Sequence, residues 1–405
     1  MYRPNTMPAH GEKLLPEDVA TLGPDGADLA MAYLAHREHN ETTPLHELSG
    51  LAAELGVGAV YVKDEGYRLG LGSFKALGGS YVVVRLVLAE ASRRLGRKVD
   101  VGELESEAVR AVAATMTFAC ATDGNHGRSV AQGAELVGAE AAIFMHTGVS
   151  DQRVAAIARF GATIIRVDGS YDDSIVEAAR VADAEGWTVL SDTSWPGYEE
   201  IPAMVAQGYT VLARESLDEM AAPPTHVFVQ AGVGGFAAAV AGHLAAVLGA
   251  DRPRVIVVEP ERAACLFASN EEGSIVTVPG AEPTVMAMLE CYEPSPLAWR
   301  VLDRVADGFL TLGEAESPAA MVRLARPASG DPPIVGGESG VAGLARLLQG
   351  ADDPGLRESG GVAAPVGKQT GGKQTGGPSD RHSPASTGRK VSKVIGSIRR
   401  ELGNP

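Results

Sequence analysis

The chain has 405 residues, of which 45% are hydrophobic and only 5% aromatic, with a formal charge of −16. That length and hydrophobic content supply a large core and more than one domain or subdomain, and the scarcity of aromatics suits packed helices and buried strands better than an aromatic-rich β-sandwich. The acidic balance argues against nucleic acid or an anionic membrane as partner of the core, and no stretch reaches the apolar length of a membrane span.

The N-terminal "MYRPNTMPAHGEKLLPED" has no apolar signal-peptide core, so a cytoplasmic soluble protein is expected. "GAVYVKDEG" reads as a short strand ending in polar residues. "GSFKALGG" (Gly72 to Gly79) then places Lys75 among Ser73, Phe74, Ala76, Gly78 and Gly79. One lysine in a Gly-rich loop is ordinarily a surface residue. Here the glycines imply close backbone approach, and the apolar "SYVVVRLVLAEA" that follows reads as a buried helix. A desolvated amine at that helix's front would have a lowered pKa and act as a nucleophile.

"ATMTFACATDGNHGRSVAQGAELVG" reads as strand, Gly-rich turn and helix, with Asp123, Asn125 and His126 crowding the turn. Asp-Gly and Asn are ordinary turn formers. In an open parallel sheet, however, ligands bind at the carboxyl ends of strands, where this turn falls. "AEAAIFMHTG" is a buried strand, and "SDQRVAAIARFGA" a helix with Ser150 at its N-cap position. "TIIRVDGSYDDSIVEAARVADAEG" repeats the plan, and "WTVLSDTSW" starts it again. Asp192 ends that last strand, with Trp195 and Tyr198 able to wall a pocket. Capping of the following Pro-containing helix by Asp192 or Ser194 explains the same residues equally well.

"PTHVFVQAGVGGFAAAVAGHLAAVLG" is strand, Gly turn and Ala-rich helix. Gly232, Gly234 and Gly235 would offer N–H groups at a helix N-terminus to a phosphate. Gly232, Gly234 and Ala237 also satisfy G-x-G-x-x-A, and Glu259 ends the next strand, "PRVIVVEP", where a dinucleotide fold keeps its ribose-binding acid. An NAD-dependent dehydrogenase therefore competes with a cofactor carrying a single phosphate. Alternating units of this kind imply mostly parallel sheets covered by helices on both faces. Cys120, Cys265 and Cys291 form no CxxC pair and have no histidine cluster nearby, which fits a reducing compartment rather than a disulfide framework or zinc site.

Beyond Gly355 large apolar residues nearly vanish until "VSKVIGSIRREL", "KQTGGKQTGG" repeats in tandem, and basic residues outnumber Glu358, Asp380 and Glu401. A disordered basic tail over 356–405 is expected.

Taken in order, "GSFKALGG", "ATDGNHGR", "SDTSWPGYEEIP…QGY", "GVGGF", "TVMAMLECYEPSPLAWRVL" and "GGESGVAGL" resemble diaminopropionate ammonia-lyase, from Thr43 to Leu348. That family belongs to the fold-type-II pyridoxal-phosphate enzymes, with the serine and threonine dehydratases. The resemblance implies two open, mostly parallel twisted sheets flanked by helices, as in the tryptophan synthase β-like fold. A discontinuous cofactor domain would take 1–85 and 215–355, and a smaller α/β domain 86–214. It implies a small amino-acid substrate and a homodimer. Lys75 would hold pyridoxal phosphate covalently through its amine, flanked by Phe74. Asn125 would contact the cofactor's phenolic oxygen, Gly232, Val233, Gly234 and Gly235 its phosphate, and Ser339 would line the cofactor site. Asp123 and Asp192 would move protons, with Lys75 and Asp123 serving opposite enantiomers of 2,3-diaminopropionate. A serine or threonine dehydratase is the alternative within the same fold.

The resemblance also leads one to expect, beyond Glu338-Ser339-Gly340, an apolar strand ending in a Thr-Glu-Gly-like turn that faces the cofactor's ring nitrogen. The sequence has "ADDPGLRESGGVAAPVGKQTGG" there, with Ser359 the nearest chemical substitute. A replaced C-terminus, by a frameshift near Arg357, would weaken activity.

Overall fold

The computed structural model describes residues 1–350 except His39, Asp123 and Ser329. Asp123, Ser359 and the expected basic tail lie outside the described residues. The strands are β1 (Tyr2–Pro4), β2 (Leu45–Glu47), β3 (Tyr61–Lys63), β4 (Thr117–Ala121), β5 (Glu140–His146), β6 (Thr163–Val167), β7 (Thr188–Val189), β8 (His226–Gln230), β9 (Arg254–Pro260) and β10 (Gly308–Leu312). One sheet has the order β6-β5-β4-β7 and is parallel throughout. The other has the order β1-β10-β9-β8, parallel except where β1 joins its edge antiparallel. A third, of β2 and β3, is an antiparallel pair.

The strand sequences explain this arrangement. All five residues of β8 and of β10 are buried, as strands covered on both faces must be. Inward residues of both large sheets, Phe118 and Ile143 of one and Val227 and Val255 of the other, belong to one continuous apolar core. A second core lies on the far side of β9 and β10, where Ile256, Val258 and Leu310 meet Leu344 and Leu347 of the helix Ala342–Gly350. Turn positions are mostly as the sequence suggests. Ser150 stands at the N-cap of the helix Asp151–Ala158, yet its side chain makes no capping bond. Ser170 does cap its helix, Tyr171–Glu185, in a reciprocal box with Asp173.

The chain entering the lysine turn is fixed by a buried ionic cluster. Arg68, fully buried, donates from Nε and Nη2 to Glu65 at 2.8 Å each and from Nη1 to Glu215 at 2.9 Å. Lys63 of β3 pairs with Glu215 at 2.9 Å and donates to the Thr43 carbonyl at 2.6 Å. Glu215 sits on the long helix Glu200–Glu219. Buried charges are tolerable when each is paired and hydrogen-bonded, and here the pairing ties the 43–68 segment to that helix.

Candidate active site

Lys75 lies in a 3-10 turn, Phe74–Leu77, which Ser73 opens by accepting the Lys75 N–H at 3.3 Å. The helix Gly79–Leu95 follows, as the apolar run requires. The Lys75 ammonium forms an ion pair with the carboxylate of Asp192, just beyond β7. The two residues are 117 positions apart in the chain. Burial alone would lower the amine's pKa, but Asp192 outweighs it and holds Lys75 above its ordinary value. This corrects the expectation of a lowered lysine, which considered desolvation without a partner. Burial would likewise raise Asp192; the charges of Lys75 and His126 hold it well below the usual carboxylate range.

Aromatic rings join this pair to the glycine turn. Phe74 stacks on Phe236 with centroids 4.0 Å apart and meets Tyr209 edge-on at 5.1 Å. Phe236 is the second residue of the helix Gly235–Leu248, so the lysine turn and the glycine turn are packed together. Gly234 has φ +98°, in the left-handed region, and a Cβ there would sit 3.1 Å from Ala298 Cβ. A Cβ on Gly232 would meet Cys291 Sγ at 2.8 Å, and one on Gly235 would lie 3.5 Å from the Asp192 carbonyl oxygen. The glycine turn therefore abuts the backbone that carries Asp192.

The other expected residues fall as follows. Asn125 opens the helix Asn125–Val137 at the carboxyl end of β4. His126 is buried; its Nε2 lies 3.2 Å from the Leu190 carbonyl oxygen, and burial lowers its pKa. Ser339 is buried and accepts the Met288 N–H at 3.2 Å, one residue from Leu289, which flanks Gly232. Asp192 caps no helix among the described residues. Ser194 does, but in a distant segment: it accepts the Leu297 N–H at 3.0 Å in the helix Pro296–Val305. Trp195 and Tyr198 stack on each other at 4.0 Å. The Tyr198 hydroxyl donates to the Val189 carbonyl at 2.8 Å and accepts the Ser191 N–H at 3.0 Å, stapling the segment that leads to Asp192.

Glu259 overturns the dinucleotide reading. It is fully buried and accepts the backbone N–H groups of Leu266 and Phe267, each at 2.8 Å, at the start of the helix Cys265–Glu272. Burial raises its pKa to about 8. A fully buried carboxyl group that caps a helix is out of reach of a ribose.

Sequence reasoning gave no role to Tyr209, Phe236 or Cys291. The "QGY" end of the fourth stretch carries Tyr209, and helical spacing from Val205 through Tyr209 to Leu212, all buried, was the available signal. Cys291 is half-buried against Gly232, and burial, then Asp192, pushes its thiol up to about 11.

A family model described as pyridoxal-phosphate dependent enzyme matches residues 36–366. The diaminopropionate ammonia-lyase of Escherichia coli K12 is 40% identical over 327 residues, 78% of this chain and 81% of the relative. The chain belongs to the diaminopropionate ammonia-lyase family. A solved structure of the Escherichia coli lyase, in complex with an aminoacrylate-PLP azomethine reaction intermediate, superposes with a TM-score of 0.82 at 33% identity, covering 99% of this chain and 94% of that one. Threonine deaminase isoform 2 of Solanum lycopersicum shares the fold alone, with a TM-score of 0.67 at 17% identity, covering 99% of this chain and 95% of that one. The lyase family's fold of two mostly parallel, helix-covered sheets is the fold of this chain.

The residues present fit the family's cofactor. An amine stands on a short turn beside a helix N-terminus whose first N–H groups have no partner within the helix. Side chains at Gly232 and Gly234 would collide with Cys291 and Ala298, so the turn beside that N-terminus requires glycine there. His126 leaves a buried Nδ1 without a hydrogen bond among the described residues.

Proposed function

We propose that this chain eliminates ammonia from 2,3-diaminopropionate, yielding pyruvate and two molecules of ammonia. The observation that carries the reading is the ion pair of Lys75 with Asp192 against the Gly232–Gly235 turn, on a chain 40% identical to an enzyme of that name. Pyridoxal phosphate, when bound, supplies an electron sink for charge developing at the substrate Cα. Lys75 holds it through its amine, with Phe74 beside it. Gly232, Val233, Gly234 and Gly235 take its phosphate, Asn125 its phenolic oxygen, and Ser339 closes the site.

Once its amine is free, Lys75 accepts the proton from Cα of one enantiomer, and Asp123 serves the other. The Cα–H electrons form the new C=C bond as the Cβ–N bond breaks. A β-ammonium takes that bond pair with it and leaves as neutral ammonia. The enamine released to water hydrolyses to pyruvate and the second ammonia. Asp192 works as a proton-handling carboxylate next to Lys75.

The same reading takes the protein as a cytoplasmic homodimer, with 1–85 and 215–355 as the cofactor domain and 86–214 as the smaller one. The membership of the two large sheets supports that division. Replacement of the C-terminus lowers turnover in this reading. The deciding experiment supplies purified protein with each enantiomer of 2,3-diaminopropionate and with serine. Pyruvate and ammonia in a 1:2 ratio from the diamine, lost in Lys75→Ala, is the expected result. Pyruvate from serine alone would favour the dehydratase.

A further inference from the structure

The described structure already shows an ammonium held inside the candidate site, and it is the protein's own. The Lys75 Nζ is paired with the Asp192 carboxylate and lies 5.6 Å from the Phe74 ring centroid and 5.8 Å from that of Tyr209. One carboxylate and two aromatic rings around a cation form a recognisable ammonium cage. Tyr209 is 2% exposed and cannot turn away. Its ring meets Phe74 at 5.1 Å and Phe236 at 6.1 Å, and a Cβ on Gly78 would come within 2.7 Å of its Cε1. Its hydroxyl is close enough to Lys75 to interact, yet makes no hydrogen bond of good geometry among the described residues. An unpaired buried hydroxyl is destabilising, so its retention calls for a partner that arrives later.

From this we infer that Tyr209 and Asp192 form the subsite for the substrate's β-ammonium, which takes the place the Lys75 ammonium occupies here. The inference rests on the diaminopropionate reading and supplies its selectivity. When Lys75 holds the cofactor, its amine no longer neutralises Asp192, and a buried carboxylate without a cation is costly. The β-ammonium restores the charge balance. It offers three N–H donors, two of them met by Asp192 and by the Tyr209 oxygen. Burial keeps the phenol protonated, above its ordinary pKa, so Tyr209 contributes a neutral acceptor and no second negative charge. Serine presents only a hydroxyl at this position and brings no charge to pair with Asp192.

The test compares two substrates that share the Cα step and differ in leaving group. Diaminopropionate loses ammonia from an ammonium; β-chloroalanine loses chloride and carries no ammonium. In the cofactor-loaded Tyr209→Phe variant, KM for diaminopropionate rises about tenfold, the loss of one hydrogen bond to a charged group. Values for β-chloroalanine stay within about twofold, a factor too small to represent such a bond. Binding of alanine, followed through the cofactor's visible absorbance, is likewise unchanged. The melting temperature stays level or rises, because the variant removes an unsatisfied hydroxyl. Equal losses with both substrates, or an unchanged KM for the diamine, would overturn the subsite. Wild-type protein that turns over β-chloroalanine but not diaminopropionate would sink the diaminopropionate reading and the subsite with it. In contrast, a wild-type protein active on the diamine whose Tyr209→Phe form is indistinguishable from it would sink the subsite alone.

Discussion

Phe74 and Phe236 stack with their ring planes 30° apart, one residue before the lysine and one residue after the last glycine of the Gly232–Gly235 turn. This contact sets the spacing between the lysine turn and the glycine turn, the two halves of the proposed cofactor seat. Phe236→Ala is expected to cost about 3–5 kcal/mol, as for other buried aromatic truncations. It should also loosen cofactor retention. Phe236→Leu keeps most of the volume and should recover more than half of both losses. Urea midpoints and cofactor retained after gel filtration measure the two effects.

The Lys75–Asp192 pair predicts a bounded pH window in the cofactor-free protein. Asp192 is held below its unfolded value, so its contribution is present above about pH 3.9 and lost as pH falls through the lower folded pKa. Lys75 is held above its unfolded value, so its contribution is complete below about pH 10.4 and lost as pH rises through the higher folded pKa. Both describe one interaction. Asp192→Asn should remove up to about 3 kcal/mol between those limits, and less outside them. Denaturation midpoints from pH 3 to 11 check the shape, in about unit steps.

Glu259 makes the opposite prediction. Its carboxyl rises from 4.5 to about 8 on folding, so the folded chain holds a proton that the unfolded chain has released. Stability therefore falls as pH rises through that interval. Glu259→Gln should flatten the fall, keep one accepting oxygen for the Leu266 and Phe267 N–H groups, and leave the absorbance of bound cofactor unaltered. Retention of the full slope in the variant would assign it to another group.

Gly234 cannot accept a side chain. Its φ of +98° is strained for an L-residue, and a Cβ would press on Ala298, Leu266 and Leu302 at 3.1 to 3.3 Å. Gly234→Ala should cost about 1–3 kcal/mol from backbone strain and weaken phosphate binding further by shifting the turn. Competition by inorganic phosphate during cofactor uptake, compared with wild type, separates the second effect from the first.

Much of the fold was legible because strand, Gly turn and helix repeat along the chain, each with its own punctuation. Lys75 was legible because its glycines had no local explanation. Its partner was not. Asp192 sat at a strand end with capping and catalysis equally open, and only packing across 117 positions chose between them. The same holds for Ser194, whose hydroxyl serves the helix Pro296–Val305 and not the one that follows it. Glu259 misled because its position in sequence matched a ribose acid, whereas the direction of its side chain depends on where Leu266 and Phe267 come to rest. A phenol such as Tyr209 reads in sequence as one more buried residue on a helix; its lack of a bond is visible only once its neighbours are in place.

The edge strand β1 pairs Tyr2 with Leu310, and the Met1 amine donates to Thr311 Oγ1 at 2.8 Å, across 310 positions. During synthesis β1 thus waits for β10, the last strand of the described fold. At typical elongation speeds the delay is roughly 15–60 s. Over that interval a nascent chain carries an unsealed sheet margin, so its yield in a cell should depend on chaperone supply during translation more than on the strength of the finished core.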